Sequence, residues 1–121
     1  MIRVLVVDDH PAILRHVGSW VRGTEVAEVV GTTSNPVAVP ALWEELRPDV
    51  TLCDVHMPVM DGLELCARLR ESYPEAAVVL FSARDDRTTR DAATAAGAVG
   101  LVPKTASVEE LAAMLRLAGR Q

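Results

Sequence analysis

The chain has 121 residues, half of them apolar, and a formal net charge of −5. That length suits one domain around one core, the composition excludes a disordered or collagenous chain, and the acidic balance argues against nucleic-acid binding by the domain itself. No apolar run reaches the roughly 18 residues of a membrane span, the start turns acidic at Asp8 and Asp9 too early for a secretory signal, and Cys53 and Cys66 make neither a CxxC pair nor a disulfide scaffold; a cytoplasmic protein is expected.

Val- and Leu-rich runs at 2–7, 26–31, 50–53, 76–81 and 99–102 begin about 24 residues apart, the length of a strand, a helix and two short loops. Four of the five are near-continuous rather than alternating, as in strands covered on both faces of a parallel sheet. Between them, Pro11 opens a first helix whose stripe is Ile13, Leu14, Val17 and Val21. The second helix contains Pro36 and Pro40, so it begins near Pro40 or has distorted first turns; Pro48 stops it. The third, 62–72, follows Asp61 as cap and brings Leu63, Cys66, Ala67 and Leu69 together, with Pro74 beyond its end. The fourth, 86–96, is made of Thr and Ala with no large apolar anchor. The fifth starts after Ser107, with Glu110 completing a capping box, and buries Val108, Leu111, Ala112 and Leu115. Strand–helix alternation repeated five times predicts an α/β fold, a (βα)5 doubly wound parallel sheet with helices on both faces. Residues 1–121 are expected to form that single domain, with no linker or effector domain in the chain.

In such a sheet, ligands bind outside the carboxyl ends of the strands. The polar residues that follow the apolar runs are Asp8 and Asp9, then Asp54, then Ser82, then Lys104, the only lysine beside eleven arginines. Three carboxylates at one edge repel one another and call for a cation. An oxygen-rich site with room for water suits Mg2+. A hydroxyl and an ammonium opposite are the donors that a transferring phosphoryl group needs, with a carboxylate as its acceptor.

The stretches Val4-Leu5-Val6-Val7-Asp8-Asp9-His10-Pro11, Asp54-Val55-His56-Met57-Pro58-Val59-Met60-Asp61-Gly62, Phe81-Ser82-Ala83 and Gly97-Ala98-Val99-Gly100-Leu101-Val102-Pro103-Lys104 together resemble the receiver (CheY-like) domain of bacterial two-component response regulators. The likeness covers the whole chain, and the Asp-Asp-His-Pro opening resembles most the NarL/LuxR-type branch. It implies the flavodoxin-like strand order 2-1-3-4-5. It makes Asp54 the phosphoacceptor, Asp8, Asp9 and Asp54 Mg2+ ligands together with the backbone carbonyl of His56, and Ser82 and Lys104 the partners of the phosphoryl oxygens. It implies a sensor histidine kinase as donor, a homodimer on phosphorylation, DNA contact only through an effector domain, and no enzymatic turnover beyond acceptance and loss of the phosphoryl group.

The sequence departs from that pattern in three places. Leu101 stands at a switch position, coupled to Ser82, where relatives often carry an aromatic. Pro103 directly precedes Lys104, and Thr105 replaces a common proline, so a cis bond retained there would be a non-proline one costing about 2.5–4 kcal/mol. Arg84 occupies a position that tunes hydrolysis in relatives. The weakly anchored fourth helix is expected to move on phosphorylation. Asp61 reads as a cap, Cys53 as a small buried hydrophobe, and Met57 and Met60 as residues shaping the loop. A transition-metal site built from His10, His16 and His56 with the carboxylates is disfavoured, because His16 falls one to two turns into the first helix. Two rival readings are a receiver-like interaction module that is never phosphorylated and a small Mg2+-dependent phosphatase. The phosphatase would want Asp-x-Asp after the first strand, where this chain has Asp8-Asp9-His10.

Overall fold

The computed structural model describes residues 1–120. Five parallel strands, β1 (Ile2–Val7), β2 (Ala27–Thr33), β3 (Val50–Asp54), β4 (Val78–Ser82) and β5 (Gly100–Pro103), form one sheet in the order β2-β1-β3-β4-β5. Five α-helices alternate with them: α1 (Pro11–Gly23), α2 (Val39–Leu46), α3 (Gly62–Ser72), α4 (Arg87–Ala95) and α5 (Val108–Ala118). This is the flavodoxin-like doubly wound sheet expected above.

Successive side chains on a strand point to opposite faces, and the core divides accordingly. Leu5, Val7, Cys53 and Leu80 face α2 and α3, joining Val39, Trp43, Leu65 and Leu69. Val4, Val6, Leu52, Val79 and Phe81 face α1 and α5, joining Val17, Val21, Leu111 and Leu115. Every residue of β3 and β4 is buried, which accounts for their near-continuous apolar runs.

Both readings of the second helix are realised in part: Pro36–Ala38 form a 3-10 turn before α2 begins, and the Asn35 side chain accepts from the Val37 N–H. β2 runs two residues further than its apolar run, because an edge strand needs only one buried face; its pairing slips between Val4↔Val29 and Leu5↔Gly31, leaving Val30 as an extra residue. β4 begins at Val78, although the Ala77 carbonyl already accepts from the Thr51 N–H. On α3 the buried residues are Gly62, Leu65, Cys66 and Leu69; of the expected stripe Cys66 and Leu69 are buried, Leu63 packs partly buried against the core, and Ala67 is exposed. Val108 is 36% exposed at the first turn of α5, and the buried stripe runs instead through Leu111, Ala112, Leu115 and Ala118. Both N-caps form: Asp61 accepts from the Glu64 N–H at 2.8 Å and Ser107 from the Glu110 N–H at 3.1 Å. All peptide bonds among the described residues are trans, Lys104–Thr105 included.

Candidate functional site at the carboxyl edge of the sheet

The order β1-β3-β4-β5 lines up the strand ends that carry the candidate residues. Asp54 is the last residue of β3 and Ser82 the last of β4, while Asp8 and Asp9 directly follow β1 and Lys104 follows β5. Asp8, Asp54 and Ser82 are buried, and Lys104 is about a third exposed. The Lys104 ammonium spans the cleft between two strand ends, 3.4 Å from Asp54 Oδ2 and 3.9 Å from Asp8 Oδ2. Its backbone fixes that reach, because the Lys104 N–H donates to the Ser82 carbonyl at 2.9 Å even though Pro103 before it has no N–H to give. The Lys104 ammonium also lies over the Phe81 ring, with Nζ 5.4 Å from the centroid, within cation–π reach.

The loops hold the acids in place. The His56 N–H donates to Asp54 Oδ1 at 3.2 Å, the His10 N–H to Asp8 Oδ1 at 2.9 Å, and the Arg84 N–H to Ser82 Oγ at 3.0 Å. After Asp54 the chain reverses through Val59, which has φ +71°, with the Met60 N–H donating to the Pro58 carbonyl. Met57 is buried and Met60 partly so, which fits their reading as loop-shaping residues.

Asp8 Oδ2 and Asp9 Oδ1 are buried oxygens without a hydrogen-bond partner. Orphaned carboxylate oxygens inside a fold are costly, and two at one edge form the oxygen-rich donor set that a hard cation takes. Burial pushes the Asp8 carboxyl above its ordinary range. The charges of Asp54 and Asp9 add to that push, while the His10 N–H and the Lys104 ammonium oppose it.

One contact was not foreseen from sequence. The His10 imidazole turns back over the acids, with Nδ1 3.1 Å from Asp9 Oδ1 and 3.4 Å from Asp8 Oδ1. Its immediate adjacency to both aspartates was the available signal. His16 is exposed on α1, and His56 enters the site by its backbone. Leu101 is 8% exposed and sits in the core on the α3 side, with Ala93 of α4 in the same cluster.

Residues 4–116 match the family model described as the response regulator receiver domain. The chain belongs to this family. Response regulator GacA of Pseudomonas aeruginosa is 35% identical over 116 residues, which cover 96% of this chain and 54% of GacA. A protein-glutamate methylesterase/protein-glutamine glutaminase of a Nocardioides species is 39% identical over 110 residues, covering 88% of this chain and 30% of that protein. The receiver domain thus spans about half the length of the response-regulator relatives it matches. Among solved structures, the signal receiver domain of NarL from Mycobacterium tuberculosis is similar with a TM-score of 0.87 and 32% identity, over 99% of this chain and 98% of that one. That likeness agrees with the NarL-type opening Asp8-Asp9-His10-Pro11.

Proposed function

We propose that this receiver domain accepts a phosphoryl group on Asp54 from the phosphohistidine of a sensor histidine kinase, in a Mg2+-dependent reaction. The observation that carries the reading is the approach of Lys104 Nζ to Asp54 Oδ2, 3.4 Å, beside the orphaned oxygens of Asp8 and Asp9.

In the transfer, an Asp54 oxygen forms the O–P bond as the N–P bond of the donor breaks. The imidazole nitrogen leaves with the electron pair and takes a proton from solvent. The Lys104 ammonium pairs with one phosphoryl oxygen as a mobile point charge. Ser82 Oγ already accepts from the Arg84 N–H and keeps its own proton to donate to another oxygen. The His56 N–H steadies Asp54 through Oδ1. Asp8, Asp9, Asp54 and the His56 carbonyl would hold Mg2+, which supplies charge neutralisation for the phosphoryl oxygens when bound. Loss of the group to water returns Asp54 and inorganic phosphate, and no other turnover is assigned.

A phosphoaspartate adds up to about one negative charge at this edge near pH 7 and biases the distal face between two arrangements. The output is homodimerisation or the release of a DNA-binding effector domain outside these 121 residues, in the cytoplasm. No helix among the described residues is long and apolar enough to cross a membrane.

The test is transfer of labelled phosphoryl groups from a phosphorylated histidine-kinase domain to the wild type, Asp54→Asn and Lys104→Ala. Label is expected on the wild type alone, in an acid-stable, base-labile bond. Equal label on Asp54→Asn would contradict the assignment.

A further inference from the structure

We propose that the His10 imidazole is a further ligand of the cation held by Asp8 and Asp9, which tunes the site toward first-row transition-metal dications such as Mn2+. The inference rests on the reading of this edge as a cation site. His10 occupies the N-cap position of α1, yet its side chain makes no capping hydrogen bond, so the helix does not use the ring. The backbone is fixed by the bond from the His10 N–H to Asp8 Oδ1. The ring is turned so that Nδ1 lies 3.1 Å from Asp9 Oδ1 and 3.4 Å from Asp8 Oδ1.

The 3.1 Å to Asp9 Oδ1 is a separation that neighbouring ligands have, and the 3.4 Å to Asp8 Oδ1 is somewhat longer. An octahedral ion with bonds of about 2.0–2.2 Å puts adjacent donor atoms about 2.8–3.1 Å apart. Ligand atoms of Asp8, Asp9 and His10 lie within 4.8 Å of one another. A second observation points to an ion: Asp8 is fully buried, and its Oδ2 has no hydrogen-bond partner. Mg2+ satisfies itself with oxygen and water, whereas an imidazole nitrogen raises affinity for the transition metals selectively. The ring would bind through Nδ1 with its proton on Nε2, on a side chain that is 66% exposed.

The test is pulsed EPR on the Mn2+-loaded protein, read for the 14N coupling of a directly bound imidazole, in the wild type, His10→Ala and His56→Ala. The coupling is expected in the wild type and His56→Ala and absent in His10→Ala. Titration of the free Mn2+ signal is expected to show about tenfold weaker Mn2+ binding in His10→Ala, with Mg2+ competition changed less than twofold. Bound Mn2+ without 14N coupling, or coupling that survives in His10→Ala, overturns the inference and leaves the cation site standing. Failure of the wild type to bind Mn2+ or Mg2+ overturns both.

Discussion

Gly62 meets Asp54 at a distance where only a hydrogen fits: a Cβ on residue 62 would stand 2.1 Å from the Asp54 carbonyl oxygen and 3.0 Å from the Cα of Val55. The Gly62 N–H donates to the Val55 carbonyl at 2.8 Å, so the first turn of α3 is pressed against the end of β3. The Asp54 carboxylate therefore stands on backbone that α3 clamps. Gly62→Ala is expected to destabilise the domain by about 3 kcal/mol, read as a lower denaturant midpoint at unchanged slope. An unchanged midpoint would show that the approach is not tight.

The burial of Asp8 makes stability depend on pH. Its folded pKa is raised by burial, so the ionised form is disfavoured by the fold. That penalty is full above the raised pKa and is relieved as pH falls through it toward the unfolded value. Asp8→Asn keeps an acceptor for the His10 N–H and removes the charge. The metal-free variant is expected to melt above the wild type at pH 7, with the gap closing toward pH 4. Mg2+ at a hundredfold over its Kd is expected to stabilise the wild type by about 2.7 kcal/mol and Asp8→Asn by much less. Thermal melts with Mg2+ and with chelator at both pH values check this; a variant less stable than the wild type at pH 7 would contradict it.

The two tryptophans report on opposite faces of the sheet. Trp20 Nε1 donates to the Ala106 carbonyl at 3.1 Å, tying α1 to the loop that begins at Lys104. Trp43 is buried on the other face, its ring 4.4 Å from Tyr73 and 4.7 Å under the Arg47 guanidinium. In single-tryptophan variants, Mg2+ with a phosphoryl mimic is expected to change the fluorescence of Trp20 and leave Trp43 unchanged. Trp20→Phe, which keeps the apolar bulk, is expected to weaken mimic binding several-fold through loss of about 1 kcal/mol of hydrogen bonding.

α4 buries Ala93 alone among its residues, so little apolar area holds it to the sheet. A phosphoryl mimic is expected to change hydrogen exchange across residues 84–96 by more than across β3 or β4. Leu101, already inside the core beside Ala93, is expected to stay buried in both states. Unchanged exchange in this segment would show that the signal leaves by another route.

The strand ends were legible because each is a buried run followed directly by a polar residue, and a parallel sheet brings such residues to one edge whatever the loops do. Asp8, Asp9, Asp54, Ser82 and Lys104 were therefore found from pattern alone. What sequence did not carry is set by loop geometry and helix phase. The turn of His10 over the acids depends on the entry angle of α1, and the clamp of Gly62 on Asp54 depends on how the first turn of α3 docks on the end of β3. The helix starts at Gly62 as its cap predicted, but its docking turns Leu65 inward and leaves Ala67 exposed, which near-equal apolar stripes do not reveal. Val108 lies at a helix end where the sheet no longer covers it. The 3-10 turn before α2 follows from two prolines whose joint effect depends on the Asn35 side chain.

The most direct measurement is intact mass after incubation with a small-molecule phosphodonor, with and without Mg2+, on the wild type and Asp54→Asn. A single phosphoryl adduct on the wild type that requires Mg2+ and is absent from Asp54→Asn is the expected result. An adduct independent of Mg2+ or retained in Asp54→Asn would contradict the account. So would a wild type that takes neither an adduct nor a phosphoryl mimic, which would leave a receiver domain acting as an interaction module without phosphorylation.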